Sequence, residues 1–191
     1  MVVLIKQMKT HLGCYKRFKT PEEVVMWVHE NYSHDQLDEF DMRKHIDDPI
    51  ADWKGSSYRR INELIRADRW EEYENIDIAG LQKQLLNMTV ADDICASRFV
   101  DFYEYCFLLI ETRFRRVAEY KGFLSTTLLK NYYSMDDIKR NRITIDILIP
   151  KGTPGMFIPE VNPKRPEFEF LMPLGLHIRR LDIKTFLVDN G

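Results

Sequence analysis

The spacing of apolar positions changes character along the chain. Up to about residue 88 they recur at helical intervals, and beyond it they alternate. Thr20-Pro21-Glu22-Glu23 combines an N-cap hydroxyl, proline at the first helical position and glutamate three residues after the cap. Val24, Val25, Trp27 and Val28 follow, so the spacing predicts a helix that the turn-forming residues Asn31 to Asp35 close. Residues 36 to 48 are charged and read as a short helix and a loop. A second helix is predicted from Arg59 to about Ala67, where Ile61, Leu64 and Ile65 repeat at helical spacing. Tyr58, Asn62, Ile65 and Arg69 share one stripe of it. A third is predicted over Leu81 to Asn87, after Gly80.

Strand signals begin with Thr89-Val90 and Ile94 to Val100. Phe102 to Arg116 is apolar and aromatic and fits either a helix or an irregular strand. Ile143, Ile145, Ile147 and Ile149 alternate with Thr144, Asp146 and Leu148, a strand that the turn Pro150-Lys151-Gly152-Thr153 ends. Met156 to Pro159, Glu167 to Met172, Leu176 to Ile183 and Phe186 to Val188 read as short strands. Helices first and strands later predict an α+β fold with a mainly antiparallel core. No linker composition divides the chain, so residues 1–191 are expected to form one domain, with 1–88 mainly helical and 89–191 mainly β.

Composition narrows the function classes. The net charge is -2 over 191 residues, which argues against a general nucleic-acid binder or a polybasic membrane surface. No apolar run approaches membrane-spanning length, and Met1 to Ile5 is too short for a signal-peptide core. A soluble protein is expected, one that leaves its cell, if it does, by another route or after losing a leader. Cys14, Cys95 and Cys106 lack a pairing pattern. His11, His29, His34, His45 and His177 lack metal-ligand spacing, so no metal is expected.

The candidate chemistry centres on Glu167-Phe168-Glu169-Phe170-Leu171, bracketed by Pro166 and Pro173. As a strand it sets both carboxylates on one face and both aromatics on the other. A solvated edge strand shows the same pattern, so the surrounding motifs decide. Gly122 to Thr127 is an apolar run ending in the hydroxyls Ser125, Thr126 and Thr127, which can orient a carboxylate or grip a sugar. Arg98 stands in an apolar run, and its fork suits phosphate oxygens. Trp53, Tyr58 and Asn62 offer rings and an amide that suit a nucleotide.

Taken in order, these segments resemble the mono-ADP-ribosyltransferase family, in particular the arginine-specific branch that includes clostridial-type binary toxins. Tyr58 to Arg66 is similar to that family's Tyr-x-x-x-Asn helix, with Trp53 five residues ahead. Ser97-Arg98-Phe99 stands for the arginine strand, with Arg113, Arg115 and Arg116 as competitors. Ser125-Thr126-Thr127 resembles the Ser-Thr-Ser/Thr strand, Pro150 to Thr153 the Pro-Lys-Gly-Thr turn, and Glu167 to Pro173 the Glu-x-Glu strand. The loop Asn162 to Pro166 lacks the aromatic that many relatives use on their protein target.

The resemblance implies a two-sheet β core enclosing an NAD cleft, with NAD as co-substrate. It implies transfer of ADP-ribose to arginine of a target protein with release of nicotinamide. Glu169 would stabilise the oxocarbenium-like ribose, Ser125 would hold Glu169, and Glu167 would orient and deprotonate the acceptor guanidinium. Arg98 would pair with the phosphates. Trp53, Tyr58, Asn62, Thr126 and Thr127 would complete the NAD site. Tyr132, Tyr133, Lys139, Arg140 and Arg142 offer further stacking and phosphate contacts. A toxin-like chain of this kind implies export or injection, a separate delivery subunit and action in the cytoplasm of a target cell. An NAD glycohydrolase and a catalytically inactive NAD- or protein-binding relative are the alternatives on the same fold.

Overall fold

The computed structural model describes residues 14–32, 49–54, 58–69, 77–114, 117–130, 143–158 and 167–189. The expectations for residues 36 to 48, for Arg115 and Arg116, for Tyr132 to Arg142 and for the 162–166 loop lie outside them.

Helix α1 runs over Pro21–Asn31, where the Thr20 side chain accepts from Glu23 N–H and caps the first turn. Its buried face carries Val24, Trp27 and Val28. Helix α2 is the single turn Pro49–Asp52, and α3 spans Tyr58–Arg66. Helix α4 spans Ile78–Leu86, beginning earlier than the sequence suggested, because Asp77 caps it by accepting from Gly80 N–H at 2.7 Å. The ambiguous stretch is helix α5, Phe102–Phe114. Asp101 Oδ1 accepts from Glu104 N–H at 2.8 Å, a cap that commits the apolar run to a helix.

The strands are β1 (Ile94–Val100), β2 (Ala118–Glu119), β3 (Leu124–Thr127), β4 (Ile143–Ile149), β5 (Met156–Phe157), β6 (Glu169–Met172), β7 (His177–Arg180) and β8 (Thr185–Asp189). Thr89 makes only an isolated bridge to Pro154. The described strands join in the order β2-β7-β8-β4-β1-β3-β6-β5. Among the described strands only β4 and β8 pair in parallel.

The expectation of two sheets needs correction, since the order is continuous. The joint is narrow, however. β1 and β3 share a single registered pair, Ser97 with Thr127, whereas β1 and β4 are in register over the whole of both strands. Two apolar clusters follow this division. One contains Val24, Trp27, Ile94, Ile147, Phe168, Phe170 and Phe186. The other contains Trp53, Ile61, Leu81, Phe123, Ile158 and Leu171, where α2, α3 and α4 cover the β3-β6-β5 side. Strand β6 lies between them, with Phe170 facing one cluster and Leu171 the other, as alternation along a strand requires.

Candidate active site

Strand β6 starts at Glu169, so Glu167 lies outside the ladder, contrary to the strand expected from Glu167 onward. Phe168 sits at φ 49°, in the left-handed region, which interrupts the alternation. This turn is tied down on both sides. Thr127 Oγ1–H donates to Glu167 O at 2.9 Å, and Leu128 N–H to Phe168 O at 2.9 Å. The Phe168 ring still reaches the main core.

Glu169 is only 8% exposed. Ser125 Oγ–H donates to Glu169 Oε1 at 2.6 Å, and Trp53 Nε1–H to the same oxygen at 3.1 Å. The antiparallel register pairs Thr127 with Glu169 and Ser125 with Leu171, so Ser125 reaches Glu169 on the diagonal of one sheet face. The other oxygen, Oε2, lies 3.1 Å from Lys54 Nζ. That ammonium also lies 3.0 Å from Glu167 Oε2. The two carboxylates converge on one cation although they no longer share one strand. Thr126 Oγ1–H donates to Phe170 O at 3.0 Å, so one threonine fastens β3 to β6 and the other fastens it to the turn ahead of β6, both through backbone oxygens rather than opening toward a ligand.

The N-terminal half supplies the rest of the wall. Trp53 is buried, with its ring edge-on to Phe123 at 5.4 Å, and Tyr58 is half-exposed beside it at 6.2 Å. Asn62 is buried and pairs with the backbone of one residue, Phe123, in both directions. Its Nδ2 donates to Phe123 O at 3.2 Å, and its Oδ1 accepts from Phe123 N–H at 2.9 Å. The preceding Gly122 has φ 127°, and a Cβ there would stand 2.7 Å from Asn62 Oδ1. Glycine is therefore required by conformation and by space.

Arg98 Nη1 donates to Ser125 O at 2.5 Å, tying β1 to the residue that holds Glu169. Its Nε and Nη2 donate to Glu104 Oε1 at 3.1 and 2.9 Å, and Nη2 donates to Tyr120 Oη at 2.8 Å. Four of the five guanidinium hydrogens are thus directed inward. Arg66, one turn beyond Asn62, adds a second cation. It donates to Lys121 O at 3.2 Å and to Tyr120 Oη at 3.1 Å, and lies 3.6 Å from Glu104. Burial by itself would raise the Glu104 pKa. The Arg98 and Arg66 charges, with hydrogen bonds from Tyr120 and Arg98, outweigh it and hold the carboxyl below its ordinary value. Burial pushes the Tyr120 phenol up, so it stays protonated. Burial would lower the Arg98 pKa, but Glu104 and Tyr120 reverse this and raise it.

The structure therefore brings Glu169, Glu167, Ser125, Trp53, Asn62, Thr126, Thr127 and Arg98 around one segment, with Tyr58 at its rim. Arg113 lies on α5. Lys54, Glu104, Tyr120 and Arg66 were not singled out from sequence. A lysine beside a tryptophan carries no signal of its own. An acidic residue in the first turn of a helix is ordinary helix chemistry. Among the described residues no group of His, Cys, Asp and Glu is arranged for a metal ion.

Residues 108–190 match the family described as ADP-ribosyltransferase exoenzyme, a span that includes Ser125, Glu167 and Glu169. The C-terminal part of the chain is thus similar to ADP-ribosyltransferase exoenzymes. Its reaction class is NAD-dependent mono-ADP-ribosyl transfer. No curated protein sequence matches the chain. Solved structures match its fold. The Clostridium limosum C3 exoenzyme is 16% identical, with TM-score 0.68, over 92% of this chain and 98% of that one. C3stau2 from S. aureus, solved with NAD, is 16% identical, with TM-score 0.62, over 93% and 99%. BECa, an ADP-ribosylating toxin of a C. perfringens binary enterotoxin solved with NADH, is 18% identical, with TM-score 0.66, over 91% of this chain and 49% of that one. This chain thus spans nearly all of the two C3 proteins and about half of BECa. Among its described residues no helix is long and apolar enough to cross a membrane.

Proposed function

We propose that this ADP-ribosyltransferase modifies arginine side chains of a protein target, using Glu169 for NAD and Glu167 for the acceptor. The supporting observation is the asymmetry of the pair: the Glu169 side chain is 10% exposed and fixed by Ser125 and Trp53, whereas that of Glu167 is 62% exposed. A fixed, shielded carboxylate suits a positive charge that develops only in the transition state. An exposed neighbour suits a group arriving from another protein.

In this mechanism the bond between ribose C1′ and nicotinamide breaks, and its electron pair leaves with nicotinamide. The oxocarbenium-like ribose faces Glu169, whose Oε2 accepts from a ribose hydroxyl. A guanidinium nitrogen attacks C1′, and its proton passes to Glu167. An unassisted guanidinium is a poor nucleophile, because its pKa lies above about 12. Arg98 offers its remaining Nη1 hydrogen and its charge to the diphosphate, with Arg66 beside it. Tyr58 covers the nucleotide from the rim. Trp53, Asn62, Thr126 and Thr127 act by holding the walls in place. The chain would be the enzymatic part of a toxin-like system, delivered into a target cell by a separate component.

The test is incubation with NAD labelled in the adenylate part and a cell lysate, followed by mass spectrometry of the labelled peptides. Label on arginine is expected. Glu167→Gln should lose protein labelling and keep NAD cleavage, while Glu169→Gln should lose both. Label found only as free ADP-ribose, or equal loss of both activities in Glu167→Gln, would overturn the assignment in favour of a glycohydrolase.

A further inference from the structure

The proposed transfer gives Lys54 no task, yet its ammonium bridges the two acidic groups that carry the chemistry. Nζ is 3.0 Å from Glu167 Oε2 and 3.1 Å from Glu169 Oε2, and the Lys54 side chain is 6% exposed. The charge balance is informative. During transfer two carboxylates face two cations, the oxocarbenium-like ribose and the acceptor guanidinium. An ammonium in the same place makes a third cation, and like charges at this range oppose one another strongly where water is excluded. In the free enzyme the balance reverses. Without a cation, two adjacent carboxylates would repel, one of them shielded. Lys54 therefore suits the carboxylate pair taken alone and conflicts with the pair when it faces both reacting cations. Its four-carbon stem lets the ammonium swing away, as a rigid fork would not.

We infer that Lys54 is a tethered stand-in for the acceptor cation, resting between Glu167 and Glu169 until an acceptor group displaces it. This rests on the arginine assignment for the identity of the acceptor, but the competition itself is a binding property. It also sets specificity. A planar guanidinium can span two carboxylate oxygens with parallel N–H bonds, whereas an ammonium offers only what Lys54 already supplies. A tethered ammonium thus admits guanidinium acceptors and rejects amine acceptors.

The test is an NMR titration of the full chain with propylguanidinium and with butylammonium chloride, using the native protein, Lys54→Gln and Lys54→Arg. Thermal melts establish that each variant is folded. Lys54→Gln should bind both cations about tenfold more tightly and discriminate less between them, since the tethered competitor is gone. Lys54→Arg should bind both more weakly than the native protein, because a forked plug is harder to displace. A merely structural lysine would give the opposite order, with Lys54→Arg near native and Lys54→Gln impaired. That order overturns the inference, as do affinities within twofold across the three proteins or no binding to Lys54→Gln. Absence of arginine labelling in the lysate experiment, with the expected titration order retained, would remove the arginine assignment and leave the competition standing.

Discussion

Trp53 Nε1–H donates to Glu169 Oε1 at 3.1 Å, joining residues 116 apart in sequence. Ser125 Oγ–H donates to the same oxygen at 2.6 Å. Together they fix the carboxylate plane and leave Oε2 turned toward Lys54.

Ser125→Ala should therefore slow NAD cleavage with little change in fold. A hydrogen bond to a charged group contributes about 1.5–3 kcal/mol. Lost from the transition state, that corresponds to roughly a 10- to 100-fold fall in kcat. Steady-state kinetics check it, and a change confined to the KM for NAD would contradict a role in orienting Glu169.

Trp53 tests the same carboxylate from the other side. Trp53→Phe keeps most of the ring and removes the N–H, so kcat should fall by about tenfold, the lower end of the range for a charged hydrogen bond. Trp53→Ala empties a core site and should cost about 3–5 kcal/mol of stability. Urea unfolding alongside the kinetics separates the two effects.

Asn62 acts through structure. Asn62→Ala leaves the Phe123 N–H and C=O without their partner, at about 1–3 kcal/mol for each buried group. At about 2–4 °C per kcal/mol for a chain of this size, calorimetry should record a Tm lower by roughly 4–24 °C. Gly122→Ala should lower Tm as well, because it displaces the same amide and strains the backbone.

Glu104 makes stability depend on acid. Its folded pKa lies below its unfolded value, so its contribution is present above the unfolded pKa of about 4.3. It is lost as pH falls through the folded value. The native protein should lose stability progressively below about pH 5. Glu104→Gln should be less stable at pH 7 by about 3–5 kcal/mol, because it strands the Arg98 charge, and its further loss below pH 5 should be smaller. Urea midpoints at pH 7 and pH 4 test both.

Much of the site was legible because its residues announce themselves by local pattern. The Thr20-Pro21 start, the alternating isoleucines of β4 and the three hydroxyls ending β3 each obey a rule of one element. The strand register then carries Ser125 to Glu169 with no further information. What escaped depended on contacts between elements. Phe168 adopts φ 49° because Thr127 and Leu128 hold the peptides on either side of it, and no residue type at 168 signals that. The ambiguity over Phe102 to Arg116 is different in kind, because a local capping carboxylate, Asp101, settles it at the start of the helix itself.

By itself the sequence determined most of the element order, the nearness of Glu167 to Glu169 along the chain and the hydroxyl run that ends β3. Periodicity and turn chemistry act over a few residues, and these features are encoded at that range. Tertiary structure decided that the sheet is continuous through Ser97 and Thr127, that Arg98 is bound to Glu104, and that Lys54 lies between the two carboxylates. Those outcomes depend on where long side chains end after packing. A lysine or an arginine reaches its partner through several rotatable bonds, and only the assembled walls select which partner that is.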